Sequence, residues 1–455
     1  MMTLALARPC TPDTTETAEL PAVTGRDLNV PLVTGEWTRN VNLDYAASAP
    51  ALTSVAEHVA QVLPYYASVH RGAGYGSQVC TGLLERARDT VGEFVGARRD
   101  DVVIFTRNTT DALNLLARAV PGSVLSLDIE HHANLLPWRG RGHRTLRAAE
   151  TVEQTLVDLE KALAQRPTAL LAVTGASNVT GEVLPLDRIV AIAHAAGTRV
   201  ALDAAQLAPH RRIDLAATGV DYLALSGHKL YAPYGAGALI GRRDWLDIAP
   251  PHLAGGGAVR QVTGRTEVWA SAPHRHEGGT PNVLGAAALA QACRDLAPVL
   301  DGPALDHERT LLTRLENGLA DIPGVTVLRI WPDSADRIAV ISFLVADRPS
   351  GYVAAYLSAE HGIGLRDGKF CAHPLLARLC GSADGGDALR ASIGLGTTTD
   401  DIDTLLAALR TLVTEGATWT YAPVDGRWAP TPDPRDLDPF AVGTATSTGA
   451  ACGHH

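Results

Sequence analysis

The sequence predicts an α/β fold with a mainly parallel sheet, followed by a smaller α+β region. Three observations lead to this prediction. The chain has 455 residues, which is enough for two or three domains. From Val41 onward, short continuous apolar runs alternate with amphipathic stretches, as in a parallel sheet covered by helices on both faces. After Asp301 the alternation gives way to a long helix and a new set of strands.

Each strand predicted for the sheet is an apolar run that ends at polar or small residues. These strands are Asp101–Thr106, Ser123–Asp128, Ala169–Thr174, Arg199–Asp203, Tyr222–Leu225 and Ala236–Ile240. Between them, Ala112–Ala117 and Leu186–Ala193 have helical patterns. The second region contains a predicted helix over Leu305–Leu319 and strands near Val325–Ile330 and Ile338–Phe343. We therefore expect a mobile lead-in at 1–38, a large domain at 39–300, a small domain at 301–415 and an extended tail without a core pattern at 416–455.

Composition narrows the class of protein. Hydrophobic residues make up 46% and charged residues 19%, which is typical of a soluble globular chain. The net charge of −10 argues against binding to nucleic acid, which needs a basic surface. No apolar run approaches the roughly 18 residues that span a bilayer. We expect no membrane partner and, because the six cysteines are scattered, a cytoplasmic protein with reduced thiols.

The cysteines also give little sign of a metal site. Only the terminal run Cys452-Gly453-His454-His455 has metal-ligand spacing. A frayed terminus is the better interpretation of that run, so we expect no metal.

Lysine is scarce enough to be informative. Three of the 39 basic residues are lysines, namely Lys161, Lys229 and Lys369, and the other 36 are arginines. A lysine amine can lose its proton and form a Schiff base with a carbonyl, whereas arginine cannot. Lys161 lies in a helical, charged stretch and is interpreted as a solvated charge. Lys229 follows an apolar run and a small-residue turn, which is where an α/β enzyme places a covalent lysine.

Five polar clusters follow the predicted strands, where ligands collect in such sheets. They are Asn108–Asp111, Glu130–Asn134, Ser177–Asn178, Asp203–Gln206 and Ser226–Lys229. Each cluster alone has an ordinary structural interpretation as a helix cap, a turn or a packed histidine. Together they supply a Schiff-base lysine, an acid for a ring nitrogen, a stacking imidazole and phosphate donors at a helix N-terminus. This set predicts a pyridoxal phosphate site.

Eleven segments also carry a resemblance to a known family. They are Leu43–Ser48, Val69–Gly72, Asn108–Asp111, Glu130–Trp138, Ser177–Val179, Asp203–Gln206, Ser226–Tyr231, Gly255–Gly257, Glu277–Asn282, Cys371–Pro374 and Leu389–Ser392. The chain resembles the class V aminotransferase-fold family of pyridoxal phosphate enzymes, and within it the cysteine desulfurase and selenocysteine lyase group. The match runs from about residue 40 to about residue 412. It implies a fold-type I transferase with a seven-stranded sheet, in which residues 39–300 bind the cofactor.

The resemblance also implies roles for individual residues. Lys229, His131 and Cys371 would be catalytic, and the cofactor would be bound by Thr109, Thr110, His131, Asp203, Gln206, Ser226, His228, Lys229 and Thr280. Asn178, Arg390 and His70 would bind a small amino-acid substrate. Thr280 would reach the cofactor of a partner subunit, so a homodimer with shared active sites is implied. A sulfur-acceptor protein is a further possible partner.

Cys371 decides the specific reaction. In desulfurases of this kind, a loop cysteine takes sulfur from the substrate as a persulfide. Two histidines commonly precede it, but here Lys369 and Phe370 stand there and His373 follows. Lys369 can favour the thiolate, although free cysteines are often inert and buried. An insertion at Gly381–Asp387 also departs from the group's pattern.

Three hypotheses remain open. The first is a cysteine desulfurase or selenocysteine lyase that releases alanine. The second is a C–S lyase, an epimerase or a decarboxylating enzyme of secondary metabolism on the same fold. The third is a non-catalytic sulfur-handling or scaffold protein that keeps the fold, and the intact Lys229, Asp203 and Arg390 argue against it.

Overall fold

A computed structural model describes residues 19–140, 142–381 and 386–440. The local sequence patterns form the following strands and helices. The strands are β1 (Asn29–Pro31), β2 (Trp37–Arg39), β3 (Val41–Asn42), β4 (Asp101–Thr106), β5 (Val124–Leu127), β6 (Arg144–Leu146), β7 (Leu170–Thr174), β8 (Arg199–Asp203), β9 (Tyr222–Ser226), β10 (Gly237–Arg242), β11 (Val259–Val262), β12 (Glu267–Trp269), β13 (Val325–Val327), β14 (Val340–Val345), β15 (Ile363–Gly364), β16 (Arg366–Gly368), β17 (Ala388–Ser392), β18 (Tyr421–Val424) and β19 (Arg427–Pro430). The helices are α1 (Thr53–Val62), α2 (Tyr75–Phe94), α3 (Thr109–Ala119), α4 (Val152–Gln165), α5 (Leu186–Ala195), α6 (Leu215–Thr218), α7 (Arg243–Ile248), α8 (Val283–Leu296), α9 (Pro303–Ala320), α10 (Ser350–His361), α11 (His373–Leu379) and α12 (Thr399–Thr414).

The larger of the two main sheets has seven strands in the order β4-β10-β9-β8-β7-β5-β6. Strands β9, β8, β7, β5 and β6 pair in parallel, and β10 runs antiparallel to both of its neighbours. Every residue of β7 and β9 is buried, because helices cover both faces of the sheet. The predicted mainly parallel sheet is confirmed, and the predicted strand Ala236–Ile240 is its antiparallel member.

The second main sheet has four antiparallel strands in the order β13-β14-β17-β16. Its buried core includes residues of α9, α10 and α12, and α9 extends the predicted helix Leu305–Leu319 by a few residues. The predicted strand Val325–Ile330 is shorter, because the backbone N–H groups of Ile330 and Trp331 donate to the Glu182 carboxylate instead of to a strand. The predicted strand Ile338–Phe343 begins two residues later, since Ile338 N–H bonds to Gly181.

The interpretation of residues 416–455 as an extended tail is wrong for Tyr421–Pro430. These residues form a hairpin of β18 and β19, in which Tyr421 is buried. Residues 19–38 of the predicted mobile lead-in also differ from the expectation, because Val33 is buried and its N–H donates to the carbonyl of Ala359.

Several predictions lie outside the described residues. They concern residues 1–18 of the lead-in, residues 382–385 of the Gly381–Asp387 insertion, and residues 441–455, which include Cys452–His455. The domain boundaries remain predictions. Among the helices that the structure describes, none is long and apolar enough to cross a membrane.

Candidate active site

A cleft of about 1340 Å³ opens at the carboxyl ends of β7, β8 and β9. It brings together eleven of the residues predicted from the sequence, which are Thr109, Thr110, His131, Asn178, Asp203, Gln206, Ser226, His228, Lys229, Cys371 and Arg390. The parallel strands explain this, since their last residues meet at one edge of the sheet. The volume is large enough to hold a cofactor together with a small substrate.

Lys229 follows β9 in a tight turn. A Cβ on Gly227 would stand 2.6 Å from the carbonyl oxygen of Ala236, so only glycine allows this turn to approach β10. Loss of hydration in the cleft lowers the pKa of Lys229 to about 8, and Arg390 acts in the same direction while Asp203 opposes it. The amine is therefore partly neutral at mildly alkaline pH, as a nucleophilic or proton-transferring lysine requires.

Asp203 is the last residue of β8 and is only 4% exposed. Its Oδ1 accepts a hydrogen bond of 3.0 Å from the N–H of Ala205. Burial raises the pKa of Asp203, although that N–H and the charge of Lys229 partly offset the effect. A protonated ring nitrogen held against this carboxylate would stabilise its charged form.

The His131 ring lies beside Lys229 and is kept neutral. Burial lowers the pKa of His131 to about 3, with further contributions from the charges of Lys229 and Arg390. Its Nδ1 accepts a 3.0 Å hydrogen bond from the N–H of Ala133, so the single proton of the neutral ring is on Nε2. A neutral imidazole with a fixed orientation suits stacking on an aromatic cofactor.

The side of the cleft nearest α3 is rich in hydrogen-bond donors. Asn108 caps the helix by accepting the N–H of Asp111 at 3.0 Å. The Oγ of Ser226 accepts the N–H of Thr109 at 2.8 Å and lies 2.8 Å from the Thr109 hydroxyl. Thr110 is exposed to the cleft. Hydroxyl groups at the positive end of a helix dipole are suited to a phosphate group.

Two further residues that were predicted to contact the cofactor, His228 and Gln206, also line the cleft. Burial, and then the charge of Lys229, lowers the pKa of His228 to about 4, so this ring is neutral as well. Gln206 donates a 2.8 Å hydrogen bond to the carbonyl of Ala46, which fixes the position of its amide beside the cleft.

Arg390 lies on β17 at the opposite side of the cleft and is 3% exposed. Its Nη1 donates to the carbonyl of Asn178 at 3.0 Å and its Nη2 to Oδ1 of Asp44 at 3.2 Å. Its Nε is buried without a partner in the described part of the chain. Burial lowers the pKa of Arg390 to about 10, although Asp44 acts in the opposite direction. A buried guanidinium with an unused N–H fits a substrate carboxylate.

The loop that carries Cys371 is docked across the cleft. The Asn178 amide donates to the carbonyl of Phe370 at 2.8 Å, and the His132 N–H donates to the carbonyl of Cys371 at 2.8 Å. The guanidinium carbon of Arg390 lies 5.0 Å from the centre of the Phe370 ring. Among the four cysteines within the described residues, Cys371 is the exposed one. Its thiol therefore opens into the same space as Lys229.

Two predicted residues lie outside this cleft. His70 is exposed, its Nε2 is 3.0 Å from Oε1 of Glu85, and its ring packs edge-on against His274 at 5.2 Å. The structure thus does not bring His70 to the substrate side of its own subunit's cleft. Thr280 is exposed in a loop before α8 and does not line the cleft either.

The sequence analysis assigned no role to two acidic residues that lie next to the site. Asp44 bridges Arg390 and Arg366, with Oδ2 2.9 Å from Nη2 of Arg366. Glu130 is buried, accepts hydrogen bonds from Asn134 and the N–H of Thr174, and has a pKa raised well above its usual value by burial. Their place within matched segments was the available signal. No cluster that could hold a metal occurs among the residues that the structure describes.

Pyridoxal phosphate fits this donor set. The cleft combines a lysine of lowered pKa, a buried carboxylate that would gain from a protonated nitrogen, and a neutral imidazole. Hydroxyl groups at the N-terminus of α3 add phosphate donors. These are the protein groups that tune and hold this cofactor.

Comparison with known proteins points to the same class of enzyme. The chain is 36% identical over 393 residues to a cysteine desulfurase of Cronobacter sakazakii, covering 82% of this chain and 94% of that protein. It is also 36% identical over 363 residues to a probable cysteine desulfurase of Mycolicibacterium paratuberculosis, covering 77% of this chain but 52% of that protein. The apo structure of a cysteine desulfurase from Thermococcus onnurineus superposes with a TM-score of 0.75 at 30% identity, over 82% of this chain and 94% of that one.

The aminotransferase class-V family model matches residues 41–405, which include all eleven predicted residues that line the cleft. The resemblance seen in the sequence is therefore confirmed over most of the chain. The chain belongs to the aminotransferase class-V family, whose members use pyridoxal phosphate.

Proposed function

We propose that this protein removes sulfur from free cysteine, or selenium from selenocysteine, and releases alanine, with Cys371 as the first acceptor. The observation that supports this most directly is the exposed Cys371 thiol in the cleft that also contains Lys229 and Arg390. The cysteine desulfurases to which the chain is similar support the same reaction class.

Each residue has a distinct part in the proposed reaction. Arg390 binds the substrate carboxylate through its unused N–H. With pyridoxal phosphate bound, Asp203 would hold the proton of the ring nitrogen, and the neutral His131 ring would stack on the cofactor. The amine of Lys229 carries a proton between substrate atoms, because a pKa of about 8 makes both of its forms accessible. When bound, pyridoxal phosphate supplies an electron-accepting ring that stabilises negative charge at the substrate α-carbon.

Cys371 performs the sulfur transfer. Its thiolate attacks the substrate sulfur, so that an S–S bond forms while the C–S bond of the substrate breaks. The electron pair of the broken bond stays on the carbon side, and a proton added there completes alanine. One thiol and one cysteine thus give one persulfide and one alanine, without an external oxidant.

We also propose a homodimer with shared active sites, in which Thr280 reaches the phosphate group in the partner subunit. The exposed position of Thr280 away from its own cleft supports this arrangement. A sulfur-acceptor protein that relieves Cys371 of its persulfide belongs to the same proposal. The free cysteines Cys80, Cys293, Cys371 and Cys380 support a reducing, cytoplasmic location.

The test compares Cys371→Ser with Cys380→Ser, which changes a half-buried thiol outside the cleft. Wild type and Cys380→Ser should form alanine from cysteine, and mass spectrometry should find one added sulfur on the Cys371 peptide. Cys371→Ser should form no alanine from cysteine and yet still change the cofactor absorbance when cysteine binds, since a hydroxyl is a poor nucleophile towards sulfur.

Two other outcomes would redirect the assignment. Release of selenium without any activity on cysteine, in the wild type, would indicate a selenocysteine lyase. Equal turnover of another amino acid by wild type and Cys371→Ser would indicate a C–S lyase, an epimerase or a decarboxylating enzyme, and the sulfur-transfer role of Cys371 would be refuted.

A further inference from the structure

The hairpin of β18 and β19 forms one wall of the cleft, although it lies beyond residues 41–405 that match the family. Its residues Gly426, Arg427 and Trp428 line the same cleft as Cys371.

The hairpin is anchored to the C-terminal end of α10 by one carboxylate. Glu360 accepts hydrogen bonds from the N–H groups of Thr418 and Trp419, at 3.0 and 3.1 Å, and from the hydroxyl of Tyr421 at 2.9 Å. Partial burial opposes ionisation, but these bonds lower the pKa of Glu360 overall. A charged acceptor that satisfies several donors at once fixes the hairpin firmly against α10.

Trp428 fills a notch at the first turn of α10. Its ring packs edge-on against Tyr352, with 5.5 Å between ring centres. A Cβ on Gly351 would stand 2.9 Å from Cδ1 of Trp428 and 3.4 Å from Oδ2 of Asp367. The absence of a side chain at Gly351 therefore lets the indole ring, the helix and β16 meet at one point.

Strand β16 leads directly into the Cys371 loop. It pairs with β17, through Asp367 and Leu389 among others, and forms the edge of the four-stranded sheet. The backbone then turns sharply, with φ values of 100° at Gly368, 48° at Phe370 and 53° at Cys371. Left-handed backbone costs about 1 kcal/mol at each residue other than glycine, so surrounding contacts must hold this turn in place.

We propose that the C-terminal hairpin is a positioning element for the sulfur acceptor, with Trp428 as its positioning residue. Trp428 and Asp367 of β16 both lie against Gly351 of α10, and only Gly368, Lys369 and Phe370 separate Asp367 from Cys371. A shift of the edge strand therefore moves the thiol relative to the substrate sulfur, and a displacement of about 1 Å costs up to about a hundredfold in rate. The inference rests on the proposed role of Cys371.

The experiment uses the holoenzyme and three variants of the hairpin. Trp428→Ala removes the ring, Trp428→Phe keeps an aromatic filler, and Val424→Ala is the control, since Val424 is exposed and away from the cleft. Two rates are measured, namely alkylation of Cys371 by iodoacetamide and formation of the Cys371 persulfide in a single turnover with cysteine. Cofactor content and the affinity for cysteine, from the absorbance change, are followed in parallel.

Trp428→Ala should form the persulfide about tenfold more slowly and react several-fold faster with iodoacetamide, with cofactor content and cysteine affinity unchanged. Trp428→Phe should recover most of both rates, and Val424→Ala should match wild type. If Trp428→Ala does not fold, Gly351→Ala displaces the ring without removing it and should have the same effects. Alkylation at the wild-type rate in Trp428→Ala or Gly351→Ala would overturn the inference.

The alkylation arm does not depend on the proposed reaction. A wild type that makes no persulfide, together with faster alkylation in Trp428→Ala, would refute the proposed function while supporting the positioning of the loop.

Discussion

Asp44 and Arg390 form an ion pair, with 3.2 Å between Oδ1 and Nη2. The arginine is almost fully buried, whereas the carboxylate is about a quarter exposed and also reaches Arg366. An amino-acid carboxylate that binds Arg390 must therefore share it with a carboxylate of the protein. Asp44 sets how strongly that arginine attracts the substrate.

Replacing Asp44 by asparagine should strengthen cysteine binding. The substitution keeps a hydrogen-bond acceptor beside Arg390 but removes the competing negative charge, so KM should fall by roughly three- to tenfold. Steady-state kinetics with cysteine measures this. Asp387→Asn, a change at a carboxylate that lines the cleft but does not pair with Arg390, is the control. A rise in KM would instead show that Asp44 is needed to orient the arginine.

Borohydride should attach the cofactor covalently to Lys229. Its pKa of about 8 makes it the amine suited to condense with the cofactor aldehyde, while Lys161 is exposed and ion-paired with Asp158. Peptide mapping after reduction locates the label, and Lys161→Arg should leave it unchanged. Lys229→Arg should lose both the label and the turnover. A label on Lys161 or Lys369 would contradict the assignment.

Asp203→Asn should keep most of the bound cofactor but slow α-proton removal by about a hundredfold or more. The amide preserves the shape of the side chain and loses the charge that holds the ring proton. Exchange of the α-hydrogen with deuterated solvent measures this step. Glu130→Gln is the matched control, because it makes the same acid-to-amide change at a nearby buried carboxyl that does not line the cleft. Similar exchange rates in both variants would reduce Asp203 to a structural residue.

Most of the site residues at the carboxyl ends of the parallel strands could be predicted from the sequence, because the relevant signals are local. Each polar cluster directly follows an apolar run, and the chain direction of a parallel sheet then brings Asp203, Ser226 and Lys229 to one edge. The family resemblance added Arg390 on β17 and Cys371 after β16. These residues belong to the four-stranded sheet and its loop, and no local pattern connects them to the seven-stranded sheet.

The remaining features depend on contacts between distant segments. Trp428 fits beside Gly351 only once α10 and the hairpin have packed. The sequence after residue 416 has no local pattern that shows this contact, and it was therefore predicted to be an extended tail. Asn178 has a clear motif, but its amide is engaged with the Phe370 carbonyl, which a one-dimensional pattern does not reveal. The position of His70 against His274 follows in the same way from the packing of its loop.

Stability should decrease as the pH falls below about 6.5, and His131 should contribute to this. Its pKa drops from 6.5 when the ring is hydrated to about 3 in the folded protein, so the unfolded chain binds more protons between these values. The contribution is fully present above pH 6.5 and is lost on the way down, by on the order of 1 to 2 kcal/mol at pH 5. Urea unfolding of the holoenzyme at pH 7 and pH 5 should show a smaller loss for His131→Gln than for wild type. His274→Gln, at an exposed ring, should behave like wild type, and an equal loss in all three proteins would exclude this role of His131.

Subunits that carry Lys229→Ala or Thr280→Ala should complement each other when mixed. Thr280 is exposed and lies outside its own cleft, so its hydroxyl can serve a cofactor only in a partner subunit. In a hybrid dimer, the site with Lys229 from the Thr280→Ala chain receives Thr280 from the Lys229→Ala chain and is intact, while the second site carries both changes. Random exchange makes half of the dimers hybrid, and activity should therefore reach about a quarter of the wild-type value. Mixing Lys229→Ala with Asp203→Asn is the control and should recover nothing, because both residues line the same subunit's cleft and no hybrid site has both. Absence of recovery with Thr280→Ala as well would show that the active sites are not shared through this residue.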